Sequence, residues 1–175
     1  AILDPLSQHV DCNTPTIGNL QANGHSGGFY HSGNTTTLRA DIGKYYAEFR
    51  ISTHGSAMYY AFGVATDIFL QTVSKHASHQ PGKGGDSNGP AVGAGVSVEL
   101  NSSSGTIYKD NVDTNYDLIS SASGDIFQLV VDANTGDVFM GKNNTYVNNG
   151  NPVATISTTY NDLRFYTAPY TYTVN

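Results

Sequence analysis

The chain has 175 residues, of which only 13 % are charged, and a formal net charge of −6. Soluble domains carry about a quarter charged residues, so this surface is polar but sparsely charged, and its few cations, among them Arg39, Lys44 and Arg50, form no cluster for a phosphate backbone. The single cysteine, Cys12, allows neither an internal disulfide nor a thiolate metal site, and no apolar run approaches the roughly 18 residues of a membrane span.

Nucleic-acid binding and membrane insertion are therefore not expected. A chain of this length removes roughly 70 % of its unfolded surface from water on folding, and residues 1–175 read as a single domain. Ala1 fits either a removed initiator Met or a cleaved leader.

Helix signals are nearly absent, because Glu occurs only at Glu48 and Glu99 and apolar residues do not recur at three-and-four spacing. Strand signals are frequent. Residues 44–53 alternate, with Tyr45, Ala47, Phe49 and Ile51 on one face and Tyr46, Glu48 and Arg50 on the other. A turn at His54, Gly55 and Ser56 then predicts a hairpin to residues 58–66. There Tyr60, Phe62 and Val64 share a face, and Ala61, Gly63 and Ala65 keep the other small enough for close approach of another backbone.

Residues 76–90 are rich in Gly, Ser and Pro and have no period, the pattern of a long functional or mobile loop. Strand character returns at 92–100, and residues 102–105 turn the chain into Thr106, Ile107 and Tyr108. Residues 126–131 are apolar on both faces except for Gln128, which predicts a central strand covered on each side. Turn residues follow at 132–137, with Gly136 suited to positive φ, before Val138, Phe139 and Met140. The C-terminus predicts two further strands, at 163–166 and 170–174. Many short strands without intervening helices call for an all-β, two-sheet antiparallel sandwich.

Residues 123–154 are more specific. They read Ser-Gly-Asp-Ile-Phe-Gln-Leu-Val-Val-Asp, later Thr-Gly-Asp-Val-Phe-Met-Gly-Lys-Asn-Asn-Thr-Tyr, and then Asn-Gly-Asn-Pro-Val-Ala. This resembles the central hairpin of the SPRY domain. Upstream, Gly43-Lys44-Tyr45-Tyr46-Ala47-Glu48 is similar to that family's "G-K-W/Y-Y-x-E" strand, and Phe62-Gly63-Val64-Ala65 to its "h-G-h-A" strand, in family order. The opening Leu3-Asp4-Pro5-Leu6, with Thr16-Ile17-Gly18-Asn19-Leu20, is similar to stand-alone SPRY domains of phage and other viral structural proteins. Asn144 stands where the family usually has Gly, Tyr45 and Tyr146 stand where it has Trp, and the chain has no Trp.

The resemblance implies a SPRY/concanavalin-like jelly roll with no catalytic role. It implies a structural or interaction protein on the virion surface, as a capsid decoration or fibre protein, docking on other virion proteins or on copies of itself. Two alternatives are a receptor-binding tail module for a host-surface glycan or protein and an intracellular peptide-binding adaptor. On the receptor reading, the long loop supplies the contacts, through His76, His79, Lys83, Asp86 and Asn88.

Candidate chemistry is thin. Gly24-His25-Ser26-Gly27-Gly28 matches a nucleophile-elbow pattern but lacks the strand before it and the helix after it. With Glu48 and Glu99 the only glutamates, the paired-carboxylate strand motif of glycosidases is missing. His76, His79 and Asp86 have metal-ligand chemistry without a framework to fix it. Residues 113–117 begin like a calcium loop, but Leu118 and Gly124 occupy the places of the required Gly and Glu, so an Asx-rich turn is expected. No catalytic residue, metal or cofactor is assigned.

Overall fold

The computed structural model describes residues 18, 21, 34–52, 58–67, 95–100, 104–118, 120–159 and 162–171. The loop residues His76, His79, Lys83, Asp86 and Asn88, together with Cys12 and Ser26, lie outside them.

The described elements are β1 (Asn34–Ala40), β2 (Lys44–Arg50), β3 (Met58–Ala65), β4 (Gly95–Leu100), β5 (Gly105–Lys109) and β6 (Val112–Asp117), then β7 (Ile126–Asp132), β8 (Asp137–Lys142), β9 (Thr145–Tyr146), β10 (Ala154–Thr155) and β11 (Leu163–Thr171). They form two antiparallel sheets. One has the order β1-β11-β3-β4-β5-β6; the other runs β10-β8-β7-β2, with β9 beside β8. The expected all-β sandwich is the observed fold.

The core lies between the sheets. Phe62, Val64, Val98 and Ile107 from the first face Phe127, Leu129, Val138 and Met140 from the second. Phe62 bridges the layers, with ring centroids 5.2 Å from Phe49 and 5.0 Å from Phe127.

Three sequence expectations change. The hairpin between 44–53 and 58–66 does not form, because β2 pairs with β7 while β3 lies between β11 and β4 in the other sheet. Each strand has an apolar face that a two-stranded ribbon would leave in water; in opposite sheets, Phe49 and Phe62 stack on each other across the core instead. β7 is central, between β2 and β8, and its inner face is fully covered, but its outer face is covered only in part: Gln128 and Asp132 are buried there, while Ile126 and Val130 are half-buried. The C-terminal strands are one strand, β11, which runs through Pro169. β1 pairs with it only as far as Thr167, so at Pro169 the described ladder is to β3 alone, where a missing N–H is tolerated.

The turn chemistry follows the sequence closely. Gly136 takes φ 79° and donates its N–H to the Asp132 carbonyl at 2.7 Å; a Cβ there would meet the Ile156 carbonyl oxygen at 1.8 Å. Asn143 and Asn144 adopt φ 49° and 66°, so Asn serves where the family pattern has Gly. Asp113 accepts a hydrogen bond from the Asn115 N–H at 2.7 Å, an Asx turn on the bulged strand β6. Among the described residues no group of three or more His, Cys, Asp or Glu side chains is placed to hold a metal.

Candidate functional site

The outer face of the β10-β8-β7-β2 sheet is built by strand alternation. Tyr45, Ala47 and Phe49 turn inward, which sends Tyr46 and Glu48 outward. Register then sets their neighbours: Tyr46 lies opposite Val130, and Val130 opposite Phe139, so three apolar or aromatic side chains form one row across three strands. The next row runs Glu48, Gln128, Gly141 and Tyr146. On the other flank lie Lys44, Asp132, Asp137 and Thr155.

The rows differ in how open they are. Tyr46 is 53 % exposed, and Val130 and Phe139 are half-buried, so the apolar row is accessible from solvent. Gln128 is 2 % exposed and is fixed by reciprocal bonds with Asn144: its Nε2 donates to the Asn144 Oδ1, and its Oε1 accepts from the Asn144 N–H, both at 3.2 Å. The Tyr146 ring lies across Gly141, whose absent Cβ would come within 3.2 Å of two ring atoms. Glycine in this strand interior therefore lets an aromatic ring lie down on the sheet.

The Tyr46 hydroxyl donates to the Glu48 carboxylate. That bond pushes the phenol up to about 12, with burial and the Tyr146 phenol adding to the rise and Gln128 opposing it. Tyr46 thus presents a neutral ring with its donor already engaged, a surface suited to packing rather than proton transfer.

One end of this face is clamped. Asp125 pairs with Lys142 at 2.9 Å, accepts from the Asn143 amide at 2.9 Å and from the Ala122 N–H at 2.8 Å, while Lys142 also donates to the Ser120 carbonyl at 2.8 Å. Burial pushes the Asp125 carboxyl up, but these bonds together outweigh it and hold the group below the ordinary carboxylate value.

Alternation in the sequence sets Tyr46 and Glu48 on one face of their strand but does not assemble this sheet face. The partner of β2 lies about eighty residues downstream, and local alternation has no way to name it. The missed signal was Gly141 between Met140 and Lys142, followed by an aromatic across a two-residue turn.

No family model matches this sequence, and no curated protein matches it. Solved structures do. The SPRY domain of human HERC1 superposes with a TM-score of 0.62 at 16 % identity, over 97 % of this chain and 90 % of that one. The stonustoxin structure gives 0.57 at 15 % identity over 95 % of this chain, which spans 25 % of the toxin chain. The architecture is thus a concanavalin-like two-sheet sandwich. Within that class it is the SPRY fold, as the landmarks at 43–48, 62–65 and 123–154 imply.

Proposed function

We propose that the chain is a non-enzymatic interaction module that docks on another protein through the outer face of the β10-β8-β7-β2 sheet. The observation that carries this reading is the accessible row of Tyr46, Val130 and Phe139, flanked by polar rows. Interface centres have this composition, aromatic and apolar with charge displaced to the rim.

Its setting, on this reading, is the virion surface, where it decorates the capsid or a fibre and docks on other virion proteins. The sequence opening and the sparse surface charge support that setting. The test is to strip the chain from purified particles and add it back. Wild type is expected to rebind and Phe139→Thr to lose most of its binding; equal rebinding would overturn the face, and absence of the chain from particles would overturn the setting.

A second reading, a host-surface glycan receptor, draws on one observation: the Tyr146 ring laid over Gly141 beside the amides of Gln128 and Asn144. Flat aromatics next to amides suit a sugar ring. A glycan array on which Tyr146→Ser binds as wild type does, or on which neither binds, would remove it.

A further inference from the structure

The described sheet edges are unequal. β1 carries a register shift between Thr35 and Arg39, β6 is paired through a bulge with Asn115 at φ 62°, and β9 and β10 are two residues each. Such bulges and short strands are the usual means of keeping an edge from recruiting another strand. β2 has neither. All seven residues are in register with β7, and no described strand lies beyond it.

The side of β2 turned away from β7 can be read from its ladder. Gly43 accepts from the Ala133 N–H, and Ile51 donates to the Asp125 carbonyl, so odd-numbered residues point their backbone groups toward β7. Alternation leaves the N–H and C=O of Lys44, Tyr46, Glu48 and Arg50 directed outward.

From this edge we infer that β2 pairs antiparallel with β2 of a second copy of this chain, about a two-fold axis at Tyr46. Charge selects that register. With Tyr46 opposite Tyr46 of the second copy, Lys44 lies opposite Glu48 of the second copy and Glu48 opposite its Lys44. An axis at Ala47 would set Lys44 against Arg50, and an axis at Glu48 would set Glu48 against itself.

The side chains have room to make these pairs. Lys44 is 73 % exposed even while reaching Asp132 at 3.4 Å, and Glu48 is exposed. Tyr45 and Phe49 point inward yet stay half-buried at this edge, and a second β2 would extend the cover over them. Ile42, 78 % exposed, would come opposite Arg50 of the second copy and pack on its aliphatic stem. The two sheets would then be continuous, and the row Phe139, Val130, Tyr46 would be mirrored across the axis.

This pairing is independent of the docking role proposed above, and its readouts are separate from particle rebinding. Sedimentation of the purified chain over a concentration series is expected to give a monomer–dimer equilibrium. Lys44→Glu and Glu48→Lys should each weaken it about tenfold by opposing like charges, and the double swap Lys44→Glu/Glu48→Lys should restore it. In a Cys12→Ser background, Tyr46→Cys should crosslink on oxidation, since directly paired Cα atoms about 5.5 Å apart suit a disulfide. Glu48→Cys should not, because this register holds its two copies apart. A chain that stays monomeric at every concentration, a double swap that fails to restore association, or ready crosslinking through Glu48→Cys would each overturn the proposal.

Discussion

The two sheets share one core yet present opposite outer faces. On the six-stranded sheet, Thr35, Tyr166, Gly63 and Ser97 lie in one row across β1, β11, β3 and β4, and Tyr166 is only 1 % exposed. Ala61 and Ala65 beside that row are buried as well. On the five-stranded sheet the corresponding outer row, Tyr46, Val130 and Phe139, is open to solvent. A face buried on both sides demands small, fitted residues, whereas a face buried on one side is free to carry large apolar groups for a partner.

The sharpest way to break this contrast is at Gly63. A Cβ there would lie 2.1 Å from the Val96 carbonyl oxygen and 2.6 Å from the Ser97 Cα, both backbone atoms with little room to yield. Gly63→Val is expected to cost about 3 kcal/mol, read as a lower urea midpoint. An unchanged midpoint would mean that the outer face of β3 is not tightly packed.

This constraint was legible beforehand, because the small residues at 61, 63 and 65 alternate strictly with Tyr60, Phe62 and Val64. The β7–β8 hairpin was legible for a related reason: its turn, with Gly136 at positive φ, is encoded within a few residues. What alternation did not reveal was which sheet a strand joins. β2 and β3 are neighbours in sequence with matching apolar faces, and that pattern fits a hairpin and a cross-core pair equally well. The open face of β2, β7 and β8 stayed hidden on the same account, since it exists only once β2 is laid against β7, distant in sequence.

The clamp at the rim of the open sheet depends on charge. Asp125 titrates lower in the folded chain than when unfolded, so its contribution is fully present above the unfolded carboxylate value, near pH 4, and is lost as pH falls through the lower folded value. Asp125→Asn should cost about 1.5 kcal/mol at neutral pH by leaving Lys142 without its acid. Thermal melts from pH 7 to 2 should show the gap between variant and wild type closing in acid; a constant gap would show that the charge is not what matters.

A smaller effect of opposite sign is expected at Ser97. Its hydroxyl is buried with no hydrogen-bond partner among the described residues, so the site uses the small size of serine and not its polarity. Ser97→Ala should raise stability by about 1 kcal/mol, since it removes an unsatisfied group and leaves a cavity of hydroxyl size at most. A loss of stability on urea titration would instead reveal a partner for that hydroxyl.

The least change in stability is expected at Phe139, and it separates the two faces most clearly. Its ring is half-buried beside Val130, on a face with no second layer among the described residues, and threonine, being β-branched, is also a good strand former. Phe139→Thr should therefore shift the unfolding midpoint by only about 0.5 kcal/mol, within the range of ordinary surface changes. The same substitution should remove most of the partner docking, because an accessible aromatic at the end of the apolar row contributes to binding what it does not contribute to folding. Folding and binding measured on this one variant should diverge. If instead stability falls as far as for Gly63→Val while binding by the folded fraction is intact, the five-stranded sheet is covered like its counterpart, and the difference between the faces disappears.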